Sequence, residues 1–196
     1  GHSPKMVWHK DTSLEKANLI VLPGGFSHGD YLRSGSIASR APIMKEVIKK
    51  AKNGTPVIGI CNGFQILTEC GLLPGALMRN NKMQCICKYT HLVSNYVNNW
   101  INKKQLGEVI SLPVAHHDGN YYADDNTIER LIKDNRIAYQ YCTSAGIIEQ
   151  SSNINGSTNN IAGIISAKEN VLGMMPHPER ALGTKLGGKD GVNFFK

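Results

Sequence analysis

The chain is short of the features that would take it out of the ordinary globular class. Aromatic residues make up only 7% of its 196 residues, and acidic side chains number 15 against 22 Lys and Arg, a net charge of +7. Such an excess of positive charge raises the question of nucleic acid. There is no interleaving of aromatic with basic residues, however, and no match to a common RNA- or DNA-binding signature. Lys49, Lys50 and Lys52 read as the polar side of one helix, and Lys103 and Lys104 as part of a polar, Asn-rich loop. No nucleic-acid partner is expected. An uninterrupted apolar run is also missing. Residues 56–78 carry one formal charge, Glu69, but Asn62, Gln65, Thr68, two prolines and several glycines break the stretch. A spanning helix tolerates that set poorly; a buried strand, a tight turn and a helix fit it. Gly1 to Met6 lead into no apolar segment of the kind a signal peptide has.

Cysteine is sparse and odd in number, five in all, which argues against a disulfide framework and for a reducing compartment. The sequons at Asn53 and Asn155 are then incidental. Cys85 and Cys87 project from one face of a strand, with His91 nearby, but a usual zinc site needs four ligands at tighter spacing, so core packing is the expected role. Repeats and low-complexity tracts are absent. What is present, 41% hydrophobic and 19% charged residues, is the make-up of a folded protein of one domain, residues 1–196.

Apolar runs and amphipathic stretches alternate. Lys5–Trp8, 18–22, 56–60, 136–142, 161–165 and 171–175 read as strands, and 84–95 with 108–115 as a sheet extension. Helices are expected over 41–52, 63–69 and 125–133. In the first, Ile43, Val47 and Ala51 share the inner face and Asn53-Gly54 closes the end. In the last, Ile128, Leu131 and Ile132 point inward. Loops 98–105 and 151–160 are polar. This alternation predicts an α/β fold with a mostly parallel sheet, covered on both faces.

Gly59-Ile60-Cys61-Asn62-Gly63 falls between a buried strand and a helix. It is the cysteine form of a nucleophile elbow: small flanking residues let strand and helix pass closely, and the turn lifts the sulfur above the sheet edge. The positive end of the helix then favours a thiolate, the form of cysteine that attacks. Pro176-His177-Pro178-Glu179 follows another apolar run. In extended backbone His177 and Glu179 point the same way, so the carboxylate can fix one ring nitrogen while the other faces a nucleophile. Pro23-Gly24-Gly25 ends a third run. Loops at the carboxyl ends of neighbouring parallel strands share one sheet edge, so a Gly-Gly backbone N–H, together with that of Asn62, can serve a developing oxyanion.

Taken in order, Pro-Gly-Gly (23–25), Gly-x-Cys-x-Gly-x-Gln (59–65) and His-Pro-Glu (177–179) resemble the signature set of the class I glutamine amidotransferases. Longer segments, 22–33, 59–69, 72–77, 174–181 and 187–191, are similar to the glutaminase of phosphoribosylformylglycinamidine synthase. The resemblance implies a three-layer, flavodoxin-like fold with a small antiparallel extension. It implies hydrolysis of L-glutamine to glutamate and ammonia through a thioester on Cys61. His177 would act as acid and base, Glu179 would orient it, and Gly25 and Asn62 would form the oxyanion hole. Gly24, Gln65, His116 and Gly119 would line the glutamine site, the last two in Ala115-His116-His117-Asp118-Gly119. It implies no cofactor or metal in this chain, a synthetase subunit that uses ATP and Mg to make formylglycinamidine ribonucleotide for purine biosynthesis, a small bridging subunit, and a cytoplasmic location.

The pattern departs from the family at His28, where Tyr is expected, at His117-Asp118 in place of Gly-Glu, and at Lys88 in place of Arg. These touch partner-facing and glutamine main-chain contacts rather than the triad. Family members usually start with a strand and helix before Val7-Trp8-His9-Lys10-Asp11, so about 30 residues are expected to be missing from the front. Gly183 to Asp190 nearly spell a phosphate-binding loop, but Asp190 replaces the magnesium-binding hydroxyl and no buried strand immediately precedes it. Rival readings are another class I amidotransferase subunit, a γ-glutamyl hydrolase on the same fold, or a non-catalytic relative.

Overall fold

In the computed structural model, which describes residues 3–31, 33–101, 103 and 105–195, three strands are buried from end to end. They are β2 (Val57–Ile60), β8 (Ile161–Ile165) and β9 (Val171–Met174). Side chains alternate along a strand, so complete burial means that both faces are covered. Leu32 of the 22–33 motif and Lys104 of the polar loop lie outside the described residues.

The main sheet has seven strands in the order β1-β2-β9-β8-β7-β4-β5, with β1 Ile20–Leu22, β4 Ile86–Val93, β5 Ile110–His116 and β7 Ile137–Cys142. β1, β2 and β9 pair in parallel, and the other four pairings are antiparallel. The expected α/β class holds, with an antiparallel part larger than a small extension. Four successive reversals return β5 to the direction of β9. The carboxyl ends of β1, β2, β9 and β5 therefore lie on one edge. β5 is five places from β2, about 24 Å away in a flat sheet. Yet the Cys61 thiol donates to the Ala115 carbonyl at 3.6 Å. The sheet curls until its last strand meets its second. A two-stranded ribbon, β3 (Ala76–Met78) with β6 (Asn120–Tyr122), sits beside it.

Helix α1 (Pro42–Lys52) starts on proline and buries Ile43, Met44, Val47 and Ala51. Helix α2 (Asn62–Glu69) is buried over its first seven residues and packs against β1, β2 and β9. Helix α3 (Asp125–Lys133) is capped by the Asp124 side chain, which accepts the Thr127 N–H at 3.0 Å. No described helix is long and apolar enough to cross a membrane. The 56–78 stretch becomes β2, α2 and β3.

Three expectations fail. Lys5–Trp8 is not a strand: it pairs with no described strand, and Met6 is 91% exposed. Ile132 does not face inward but is 43% exposed, because the inner stripe of so short a helix is filled by Thr127, Ile128 and Leu131. Cys85 and Cys87 are exposed rather than packed in the core, since the first half of β4 pairs with β5 alone and β7 joins it only from His91.

Candidate active site

Cys61 links β2 to α2 with φ 51° and ψ −105°. A non-glycine residue held there stores about 1–3 kcal/mol of backbone strain, which the surrounding packing sustains. Its N–H donates to the Met174 carbonyl at 2.8 Å and its carbonyl accepts from Phe64 and Gln65. The glycines around it are steric requirements. A Cβ on Gly63 would lie 2.0 Å from the Leu22 carbonyl oxygen, and one on Gly59 would strike the Gly63 backbone. That contact brings the end of β1, and so Gly24, onto the elbow. A Cβ on Gly24 would lie 2.7 Å from His177 Cε1 and 3.5 Å from Cys61 Cβ. Gly24, Cys61 and His177 thus meet at one point, each from the end of a different parallel strand.

His177 is 1% exposed. Its Nδ1–H donates to Glu179 Oε1 at 2.6 Å, and its Nε2 has no hydrogen-bond partner among the described residues. The carboxylate fixes the tautomer, and Nε2 is left as the base. The backbone of His177 is pinned in turn, its N–H donating to the Pro113 carbonyl of β5 at 2.8 Å.

Gly25 follows Gly24 with φ 147°, on the open side of the loop. Asn62 is the first residue of α2, where backbone N–H groups lack intrahelical acceptors. Its side chain is committed elsewhere: Oδ1 accepts from the Ser27 hydroxyl at 2.6 Å, and Nδ2 donates to Gln65 Oε1 at 2.8 Å. Gln65 Nε2 donates to the Asp118 carbonyl at 2.7 Å. Both ends of the Gln65 amide are therefore occupied. Gln65 ties the elbow to the loop after β5.

His116 ends β5, and Gly119 lies in that loop. His116 is 1% exposed, and a Cβ on Gly119 would sit 2.3 Å from its Nδ1. Asn80 holds both: its Oδ1 accepts from His116 Nδ1–H and the Gly119 N–H, each at 3.1 Å. Burial, helped by repulsion from the like charge of a protonated His177, pushes the His116 imidazole down from 6.5 to about 4, so it is neutral near pH 7. Below the loop, Asn155 Nδ2 donates to the Gly119 carbonyl at 2.7 Å and Ser157 Oγ to the same oxygen at 3.3 Å. The polar 151–160 loop is thus partly buried and structural. Sequence reading missed Asn80, Asn155 and Ser157, since an asparagine in a loop carries no local mark of what it will hold.

Burial pushes Cys142 up to about 11 and raises Cys70 as well. Among the described residues no cluster of three metal-ligating side chains forms. The near phosphate-binding loop is a short turn closed between Gly183 and Gly188, and Asp190 accepts the Ser111 N–H at 2.8 Å.

Known proteins resemble this chain over its whole length. The profile of the CobB/CobQ-like glutamine amidotransferase domain matches residues 4–186. The phosphoribosylformylglycinamidine synthase subunit PurQ of Rhodospirillum rubrum is 52% identical, the match covering 100% of this chain and 86% of the relative. PurQ of Zymomonas mobilis is 51% identical, with 100% and 85% covered. Among solved structures, that of PurLQS from Thermotoga maritima superposes with a TM-score of 0.81 at 40% identity, over 94% of this chain and 80% of that one. The chain belongs to the CobB/CobQ-like glutamine amidotransferase family.

Proposed function

We propose the following division of labour for an enzyme that serves as the glutaminase subunit of phosphoribosylformylglycinamidine synthase, in purine biosynthesis, beside a synthetase subunit. Cys61 passes its thiol proton to His177 Nε2 and attacks the side-chain amide carbon of L-glutamine. The carbonyl oxygen turns toward the backbone N–H groups of Gly25 and Asn62, each such donor being worth about 2.7–4 kcal/mol in the transition state. His177 returns the proton to the nitrogen, the C–N bond breaks, and ammonia leaves a thioester on Cys61. Water then gives its proton to His177 and attacks the thioester; glutamate departs and the thiol is restored. Glu179 orients His177 and carries its transient positive charge. Gly24 shapes the floor of the site. Gln65 holds the elbow and the loop after β5 in register, with His116 and Gly119 beside it.

The observation that carries this reading is the meeting of Gly24, Cys61 and His177, with Glu179 fixing Nδ1 and leaving Nε2 unengaged. ATP and Mg are used on the synthetase, a bridging subunit completes the complex, the residues form one domain, and the location is cytoplasmic. The test is a glutaminase assay with and without the synthetase subunit. Low activity alone that rises on complex formation supports the reading, and turnover of γ-glutamyl peptides without a partner overturns it.

A further inference from the structure

His116 carries a nitrogen whose state is fixed by its neighbours. Asn80 Nδ2 donates to two carbonyls, Gln84 at 2.8 Å and His116 at 3.0 Å, so the other atom of that amide is its oxygen. That oxygen takes the proton of His116 Nδ1. Nε2 is therefore a bare lone pair, an acceptor that cannot donate. It is buried and has no hydrogen-bond partner among the described residues. Natural proteins rarely bury such a group unpaired, and those that do commonly use it on a ligand. Asn80 and Gly119 occupy the Nδ1 edge of the ring, which leaves Nε2 on the opposite edge, and the charged group that bears most on the ring is His177. The preceding residue, Ala115, holds its carbonyl 3.6 Å from the Cys61 sulfur, and Pro113 of the same strand binds the His177 backbone.

Resting on the glutaminase reading above, the geometry points to His116 Nε2 as the acceptor for the N–H of the glutamine side-chain amide that His177 does not face, and hence as the group that tells glutamine from glutamate. An amide nitrogen brings two hydrogens; His177 acts on the nitrogen lone pair as the bond breaks, and one N–H remains to be received. Glutamate puts a carboxylate oxygen at the same place. Lone pair then meets lone pair, and a neutral imidazole held in this tautomer cannot turn to donate. The acceptor keeps this character at working pH because burial holds the ring neutral. The same atom engages substrate and departing ammonia, and repels the product acid.

The test is kinetic, on the complex with the synthetase. His116→Phe keeps a ring and removes the acceptor. The KM for glutamine should rise at least about tenfold while inhibition by glutamate is unchanged or tighter. Equal weakening of both ligands overturns the proposal. A parent complex that leaves glutamine intact overturns the functional reading as well, and is told apart because the parent itself fails. Should the variant not fold, the chain labelled with 15N-histidine and carrying Cys61→Ala serves instead. The unprotonated Nε2 resonance of His116 should shift on adding glutamine and stay in place with glutamate. No shift with glutamine, or the same shift with both, sinks the idea.

Discussion

The parallel and antiparallel parts of the sheet each deliver one buried histidine to the same edge, and the two differ in what holds Nδ1. His177, beyond β9, gives its Nδ1–H to a carboxylate; His116, at the end of β5, gives it to the oxygen of an amide. Both are 1% exposed, and both leave Nε2 without a hydrogen-bond partner among the described residues. A carboxylate can carry the positive charge that a ring acquires on taking a proton, whereas an amide oxygen offers only a dipole. Identical side chains at equal burial thus become a proton carrier and a fixed neutral acceptor. Each also rests on a glycine, Gly24 or Gly119, where a Cβ would collide with the ring.

The largest effects should fall on the parallel part. Cys61→Ala should remove glutamine-dependent amination, by about 10,000-fold or more, while the complex keeps amination from free ammonia. Loss of both activities would refute the assigned role. His177→Ala should behave in the same way. A glutamine analogue with an electrophilic side chain should add mass at Cys61 alone, seen by peptide mass spectrometry; label at Cys70 or Cys142 would move the nucleophile.

Glu179→Gln gives His177 the kind of partner that His116 has, and so tests the comparison directly. The amide can orient the ring but not carry its charge, and it can favour the wrong tautomer. The expected fall in kcat is about 100- to 10,000-fold, smaller than for His177→Ala, with the KM for glutamine little changed. An unchanged kcat would mean that the carboxylate is not what separates the two histidines.

Much of the parallel part was legible in the sequence. The elbow, the Pro-Gly-Gly loop and His177-Pro178-Glu179 are local patterns, each fixed by strand-to-loop geometry within a few residues. The bounds of α3, 125–133, were met, although Ile132, one of its three expected inward residues, is exposed. The antiparallel part was not legible in this way. Asn80 meets His116 across 36 positions, and nothing in either neighbourhood marks the contact. The return of β5 to Cys61 depends on curl accumulated over five strand pairings. Gln65 illustrates the limit most clearly. The resemblance places it on glutamine, and its amide also ties Asn62 to the Asp118 carbonyl, a fact that exists only in three dimensions.

The two histidines should also separate in acid. The folded value for His116 lies near 4, below the 6.5 of an unfolded chain, with His177 and Asp118 as the charged groups that bear on it. Between those values the unfolded state binds more protons. Stability should therefore be complete above about pH 6.5 and fall as the pH drops toward about 4, by about 3 kcal/mol from this group. Urea unfolding across that window should show the loss in the parent and a flatter profile in His116→Phe. Equal slopes would mean that His116 is more easily protonated than its burial implies.

Gly119→Ala should have the smallest effect, and it sharpens the same point. The backbone at Gly119 is not in the left-handed region, so alanine there meets no conformational penalty of its own. The cost is the collision with the His116 ring, about 2 kcal/mol of overpacking. The ring must shift away from Asn80 and, if it gains water in doing so, it loses part of the burial that keeps it neutral. The variant should therefore unfold at lower urea near pH 7, yet lose less further stability than the parent between pH 6.5 and 4. A uniform drop, parallel to the parent at every pH, would show that the ring is held by its surroundings as a whole and not by its seat on Gly119.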